Sequence, residues 1–319
     1  MPASAVHNSF FPMELNEFTL FRSLIHKRTG IWLRDGKQVM LASRLLRRLR
    51  HHGLTSFADY YSFVQNVQDN GEEIRELINC VTTNKTSFFR ERHHFDFLAN
   101  TVVPAIRSAR QRGGSGTIRV WSAASSTGEE AYSIVITLLE ALQTHGSANR
   151  PAPVRTPVCN RPAPADLSAF PPPPVPWKIE VVASDIDTKV LETAQRAIYS
   201  VDSLAGAATP LIRKYFLRGK DGMLGQVKVK PVVTGLVEFR RINLNDVQWP
   251  LQGLFDVIFF RNALIYFNHD TQDRFLRRIV GYLKPRGYLF LGNAEHISWL
   301  HGILEPLHRT MYRLRDAER

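Results

Sequence analysis

The feature that most constrains this chain is an alternation. Past residue 117, short apolar runs rich in Val, Ile and Phe take turns with stretches of helical periodicity. Strands are expected over 117–122, 178–184, 254–260 and 287–292, and helices over 128–143, 187–197 and 271–283. Strands that are apolar throughout need cover on both faces, and intervening helices supply it over a parallel, doubly wound sheet. The 319 residues are enough for one such domain and a smaller one. The expected fold class is α/β: a Rossmann-like domain with a small N-terminal all-helical domain and a small antiparallel β-subdomain.

The helical domain is assigned to 10–85 and the α/β domain to 86–319. Residues 14–28 carry Leu15, Phe18, Phe21 (or Leu20), Leu24 and Ile25 at helical spacing, and Gly30 ends the run. Over 38–52, Leu41, Leu45 and Leu49 share one side, while Arg44, Arg47, Arg48 and His51 share the other. Further helices are expected at 56–69 and 71–81. Residues 145–177 are dense in proline and lack periodic apolar positions, which marks a flexible insertion. An Asp-Gly signal and alternating residues mark 204–240 as the antiparallel excursion.

The first strand breaks into a loop and restarts as a helix in VWSAASSTGEEAYSI. A dinucleotide fold would present bare backbone to a phosphate there. Here Gly128 is followed by Glu129 and Glu130, which repel a pyrophosphate. S-adenosyl-L-methionine has no phosphate, and its sulfonium, ammonium and hydroxyl groups seek carboxylates. Taken alone, the pair fits equally well an acidic first turn that complements the helix dipole. Asp185 adds weight, because it closes the second strand at the edge where such folds bind ligands and suits a ribose. Asp187, or Thr188, would cap the next helix. Asn243 and Leu244 follow another apolar strand and suit an adenine. Arg261, Asn262 and Tyr266 close the strand expected beside the first, facing a pocket. Leu264, Ile265 and Phe267 read as core.

Composition narrows the setting. Forty-one basic against 29 acidic residues leave a net charge of +12, which asks for an anionic partner. Cys80 and Cys159 are too few for a disulfide framework or a cysteine zinc site. No apolar run approaches the ~20 residues that span a bilayer, and no signal peptide is evident, so a cytoplasmic protein without membrane insertion is expected. Adjacent histidines (His51/His52, His93/His94) point about 100° apart on a helix, and no metal is expected.

Five stretches in order carry a resemblance: TTNKTSFFRERHHFDFL, RVWSAASSTGEEAYSI, VVASDIDTKVLETAQRAIY, FDVIFFRNALIYF and LRRIVGYLKPRGYLFLGNAEHI. Together they resemble the CheR family, chemoreceptor glutamate O-methyltransferases, over about 15–315 apart from the insertion. The resemblance implies an S-adenosylmethionine-dependent enzyme that esterifies receptor glutamates, releases S-adenosyl-L-homocysteine and serves sensory adaptation in chemotaxis. It implies that Asn84, Thr86 and Arg90 border the cofactor. Glu130, ahead of Glu129, would meet its methionine end, Asp185 its ribose, and Asn243 and Leu244 its adenine. Arg261 and Asn262 would be pocket residues. Arg90 and Tyr266 would lie nearest the transferred methyl. The implied partners are cytoplasmic domains of methyl-accepting chemotaxis proteins, met at membrane receptor arrays, with Arg44, Arg47 and Arg48 as a docking face. In some members the antiparallel subdomain takes a receptor C-terminal tail as an added strand.

Two other readings compete. A nucleic-acid methyltransferase would suit the basic charge, but an amino methylase needs an Asn/Asp-Pro-Pro-aromatic loop where this strand ends Arg-Asn-Ala-Leu-Ile-Tyr. A C5 methylase needs a cysteine nucleophile, and neither cysteine closes a strand. A non-catalytic module that senses S-adenosylmethionine is the other, against which the full residue set counts.

Overall fold

The computed structural model describes residues 12–66, 71–110, 116–147 and 177–316. The N-terminal part holds α1 (Leu15–Thr29), α2 (Gln38–His51), α3 (Phe57–Asn66) and α4 (Glu72–Val81). They close on a core of their own, in which Phe18, Phe21, Leu41, Leu45, Leu49 and Tyr60 are buried and Leu20 is not. The Leu41/Leu45/Leu49 stripe is therefore the inner face of α2, as its spacing predicts. The end of α3 expected near 69 lies outside the described residues. Gly30 ends α1 with φ +77°, and its N–H donates to the His26 carbonyl. A Cβ there would stand 2.9 Å from Phe275 Cζ, so glycine also permits the close packing of this domain on the next.

A helical run, α5 (His93–Phe97), a π-helical turn (Leu98–Val102) and α6 (Val103–Arg110), leads into the sheet domain. There follow β1 (Thr117–Ala123), α7 (Glu129–Ser147), β2 (Lys178–Asp185), α8 (Thr188–Arg196), β3 (Ile198–Ser200), α9 (Thr209–Tyr215), β4 (Phe216–Arg218) and β5 (Gln226–Val229). The chain finishes with α10 (Pro231–Thr234), β6 (Val237–Arg241), β7 (Phe255–Phe260), α11 (His269–Val280), β8 (Leu283–Leu291), β9 (Leu304–His308) and β10 (Met311–Leu314). Of the proline-rich stretch read as an insertion, residues 148–176 lie outside the described ones.

The main sheet has the order β6-β2-β1-β7-β8-β10-β9. β1 pairs in parallel with β2 (Ala123 opposite Ser184) and with β7 (Ser122 opposite Phe259). β10 runs antiparallel to β8 and β9, so the sheet is mixed and not wholly parallel. Strand alternation splits its core in two. Val120, Val257, Phe259 and Phe290 pack on the side of α7, while Trp121, Ile258, Phe260 and Leu289 meet Phe275, Leu276 and Ile279 of α11. The antiparallel excursion exists with different limits from 204–240. Its sheet, β3-β5-β4, spans 198–229, and β6 within the expected range is instead a parallel edge strand of the main sheet, paired with β2. The Val-Glu-Phe alternation of β6 looks antiparallel from sequence because only one of its faces is covered.

From β1 the chain steps outward through β2 to β6, then returns to lay β7 on the other side of β1. That reversal opens a crevice beyond the carboxyl ends of β1, β2 and β7.

Candidate active site

A cleft of about 710 Å³ fills that crevice, walled by the sheet domain, the linker after α4 and the α1–α2 connection. Thr82, Asn84, Thr86 and Arg90 come from the linker, Ser125, Ser126 and Glu130 from the β1–α7 turn, Asp185 from β2, and Arg261, Asn262 and Tyr266 from beyond β7. The two domains are pinned across it. Ile31 bridges to Phe267, the Trp32 N–H donates to the Tyr266 carbonyl at 2.8 Å, and Thr82 and Asn84 donate to Asp187 at 2.6 and 2.8 Å.

The β1–α7 turn is bent by three left-handed residues, Ala124, Ser126 and Gly128. At Gly128 (φ +93°) a Cβ would lie 2.8 Å from Ala194 Cβ, so α7 can start this close to α8 only with glycine there. The bend points the Ser126 N–H at Asp185 Oδ2 (2.8 Å), while Asp185 Oδ1 accepts the Asp187 N–H (3.0 Å). Burial raises the Asp185 carboxyl to about pKa 6 despite those bonds. Asp187 caps α8 by accepting from the Lys189 and Val190 N–H groups, the role the sequence offered to it or Thr188.

The acidic pair divides. Glu130 lines the cleft, its carboxylate taking the Ser122 hydroxyl at 2.7 Å and Arg261 Nη1 at 3.0 Å. Glu129 is buried beside the cleft against the Thr127 hydroxyl at 2.6 Å and does not line it. Burial raises both carboxyls, and the Arg261 charge opposes that rise only for Glu130. Arg261, with a side chain 1% exposed, also donates to the Arg90 carbonyl at 2.6 Å and lies over the Phe95 ring. Asn262 adopts φ +56°, a conformation asparagine tolerates, and its N–H donates to Glu295 at 2.9 Å. Glu295 takes the N–H groups of Leu264 and Gly292 as well.

Several expectations need correction. Asn243 and Leu244 do not line the cleft. The Asn243 amide donates to the Arg28 carbonyl (2.8 Å) and to Asp246 (2.9 Å), closing the open end of α1, and the Leu244 side chain packs in the core. Ile265 is not core but 46% exposed on the cleft wall. The arginine face of α2 is not one open ridge. Arg48 turns inward to Glu73, Arg44 donates to Thr82 O and Thr83 Oγ1 of the linker, and only Arg47 is exposed. Residues missed from sequence are Glu91, which reaches Arg261 and Asn262, and Glu295. Both lie inside quoted stretches, in FFRE and GNAEH, but Glu91 meets partners such as Asn262, 171 positions away, so nothing local in the sequence signalled it.

The donor set suits S-adenosylmethionine. The buried Ser125 hydroxyl and Arg261 Nε are without a hydrogen-bond partner among the described residues, and both belong to cleft-lining residues. Glu130 and Asp185 are the acids for its cationic and ribose ends. The architecture and cleft define the class, an S-adenosylmethionine-dependent methyltransferase.

Comparison with known proteins makes this specific. The family described as "CheR methyltransferase, SAM binding domain" matches residues 84–150 and 167–312, and "CheR methyltransferase, all-alpha domain" matches residues 16–82. The chain belongs to the CheR methyltransferase family. It is similar to chemotaxis protein methyltransferase 2 of Pseudomonas aeruginosa, with 37% identity over 98% of this chain and 97% of the relative. Chemotaxis protein methyltransferases of Escherichia coli (41% identity, 93% of this chain and 90% of the relative) and Salmonella typhimurium (42%, 91% and 87%) are similar too. No helix among the described residues is long and apolar enough to cross a membrane.

Proposed function

We propose that the chain transfers the methyl group of S-adenosylmethionine to glutamate side chains of methyl-accepting chemotaxis receptors, giving methyl esters and S-adenosylhomocysteine. The observation that carries this reading is the segregation of charge in the cleft. The acids Glu130 and Asp185 are sunk in its floor, while Arg34, Lys37, Lys85 and Arg90 line it from the linker and the α1–α2 connection, where all four are exposed. A cation-seeking floor under an anion-seeking rim suits a positively charged donor and a carboxylate acceptor.

When bound, S-adenosylmethionine supplies an electrophilic methyl on a sulfonium. A glutamate carboxylate is ionised at neutral pH and needs no general base, so orientation and exclusion of water are what these residues must provide. Arg90 is exposed and donates to the Lys85 carbonyl at 2.9 Å, which leaves other donors of its fork for a carboxylate. Tyr266, half-buried on the facing wall, is the second group in reach. Asn84, Thr86, Glu130, Asp185, Arg261 and Asn262 form the cofactor side.

In this reading residues 10–85 face the receptor at its membrane array and 86–319 carry the chemistry. The sheet β3-β5-β4 supports a further contact, because among the described residues β3 and β4 each pair only with β5 and an extended receptor tail could add at either edge.

The test is incubation with methyl-labelled S-adenosylmethionine and a receptor cytoplasmic fragment, followed by mild alkali. Label released as methanol is expected, and label that resists alkali would overturn the reading in favour of nitrogen or carbon methylation. Arg90→Ala should cut turnover at least ~10-fold with cofactor affinity within a few-fold, the scale of a lost positioning contact.

A further inference from the structure

Glu91 takes no part in the reading above, yet it is held in an unusual way. It has φ +59°, a left-handed conformation that a glutamate keeps only where its surroundings over-determine it. Its side chain is 10% exposed and turned inward. One oxygen lies 3.0 Å from Arg261 Nη2, and the other accepts from Asn262 Nδ2 at 3.2 Å. The neighbouring His94 stands 3.4 Å away but adds no charge, since burial drives its pKa down to about 2. The opposite edge of the same guanidinium meets Glu130 at 3.0 Å. One buried positive charge thus stands between two carboxylates.

With one cation shared by two anions, the cluster carries a net negative charge that faces the cleft through Glu130. If Glu91 were neutral, Arg261 would offset Glu130 in full, and the Glu130 end of the floor would have no net charge left to attract an ammonium. We propose that Glu91 is a positioning residue that divides the charge of Arg261 and so leaves the Glu130 carboxylate only partly offset, with net negative charge available to the amino-acid end of the cofactor. This rests on the reading that Glu130 meets that end. A scaffold role for Glu91 would act on every ligand of the cleft alike, whereas charge division acts only on ligands that bring a cation.

The experiment is equilibrium binding to the full chain of S-adenosylmethionine, S-adenosylhomocysteine and 5′-methylthioadenosine, the last of which lacks the amino-acid end. Glu91→Gln is isosteric and keeps an acceptor for Asn262. It should weaken the first two by about 10-fold, the order of one lost charge at intermediate dielectric, and leave the third within about 3-fold. Equal loss for all three, or no loss, overturns the proposal. Glu91→Asp keeps the charge but withdraws it by one methylene, so a smaller loss of the same selectivity is expected, and equal loss across the three ligands would overturn the proposal there too. Glu130→Gln separates the two ideas. If it leaves the ratio of S-adenosylmethionine to methylthioadenosine affinity unchanged, the placement of Glu130 fails. If it shifts that ratio and the Glu91 variants do not, only the role of Glu91 fails.

Discussion

Two arginines, half-buried Arg48 in the helical domain and buried Arg261 under the cleft, each face carboxylates, and they differ in what is left over. Around Arg48 the polar groups close on one another. Glu73 takes Arg48 Nε at 2.9 Å, the Tyr60 hydroxyl at 2.6 Å and the His52 ring at 2.8 Å. Burial works to raise the Glu73 carboxyl, but the hydrogen bonds from Arg48, Tyr60 and His52 outweigh it and hold the pKa low. Around Arg261 the same chemistry stays open. Glu130 is raised by burial, and an arginine nitrogen and the Ser125 hydroxyl have no partner among the described residues. A closed cluster stabilises a fold, whereas an open one stores binding capacity for a ligand.

The largest expected effect breaks the closed cluster. Glu73→Gln removes the anion hydrogen-bonded to half-buried Arg48, with Glu76 still 3.7 Å away, and should cost about 2 kcal/mol of stability in urea denaturation. A loss below about 1 kcal/mol would mean that Arg48 escapes to water and the contrast is weaker than drawn. Because the folded pKa of Glu73 is depressed, its contribution is present above the unfolded carboxylate value and lost as pH falls through the folded one.

Asp185 has the opposite sign, which sharpens the comparison. Its folded pKa of about 6 lies above the unfolded value, so its ionisation works against folding as pH rises toward 6. A ribose hydroxyl donates to the ionised form. Cofactor affinity should therefore fall by up to ~10-fold per pH unit below about 6 and flatten in Asp185→Asn. Calorimetric titrations across pH 5 to 8 measure this, and an unchanged slope in the variant would remove Asp185 from the cofactor site.

The smallest effect concerns Arg47, one position before Arg48 on α2 but exposed, touching Cys80 Sγ at 3.6 Å. Arg47→Glu should shift stability by less than about 0.5 kcal/mol while slowing receptor methylation several-fold at low salt, a deficit that fades as salt rises. Equal rates at low salt would take α2 out of docking.

Much of this was legible. The period-two and period-3.6 patterns gave the order of elements, because apolar spacing is a local property that burial preserves. Gly128, the Glu129/Glu130 pair and Asp185 stood out because a glycine, acids at a helix start and an acid at a strand end each serve one local geometry, while only the resemblance put Glu130 ahead of Glu129. The small sheet was placed with shifted limits, since β6 has the composition of an edge strand and nothing in its residues says which sheet it joins. Arg48 read as a ridge residue because the acid that turns it inward lies 25 positions away.

The sequence by itself therefore determined the element order, the leucine face of α2 and the strand-end residues that meet in one crevice, all through spacing along the chain. Only the tertiary structure decided that Arg48 is an internal ion pair, that the Asn243 amide closes α1, and that Glu91 shares Arg261 with Glu130. Each of these depends on a partner brought close by the packing of separate elements. The field and solvent exposure that set a charge's role belong to that packing and not to the residue.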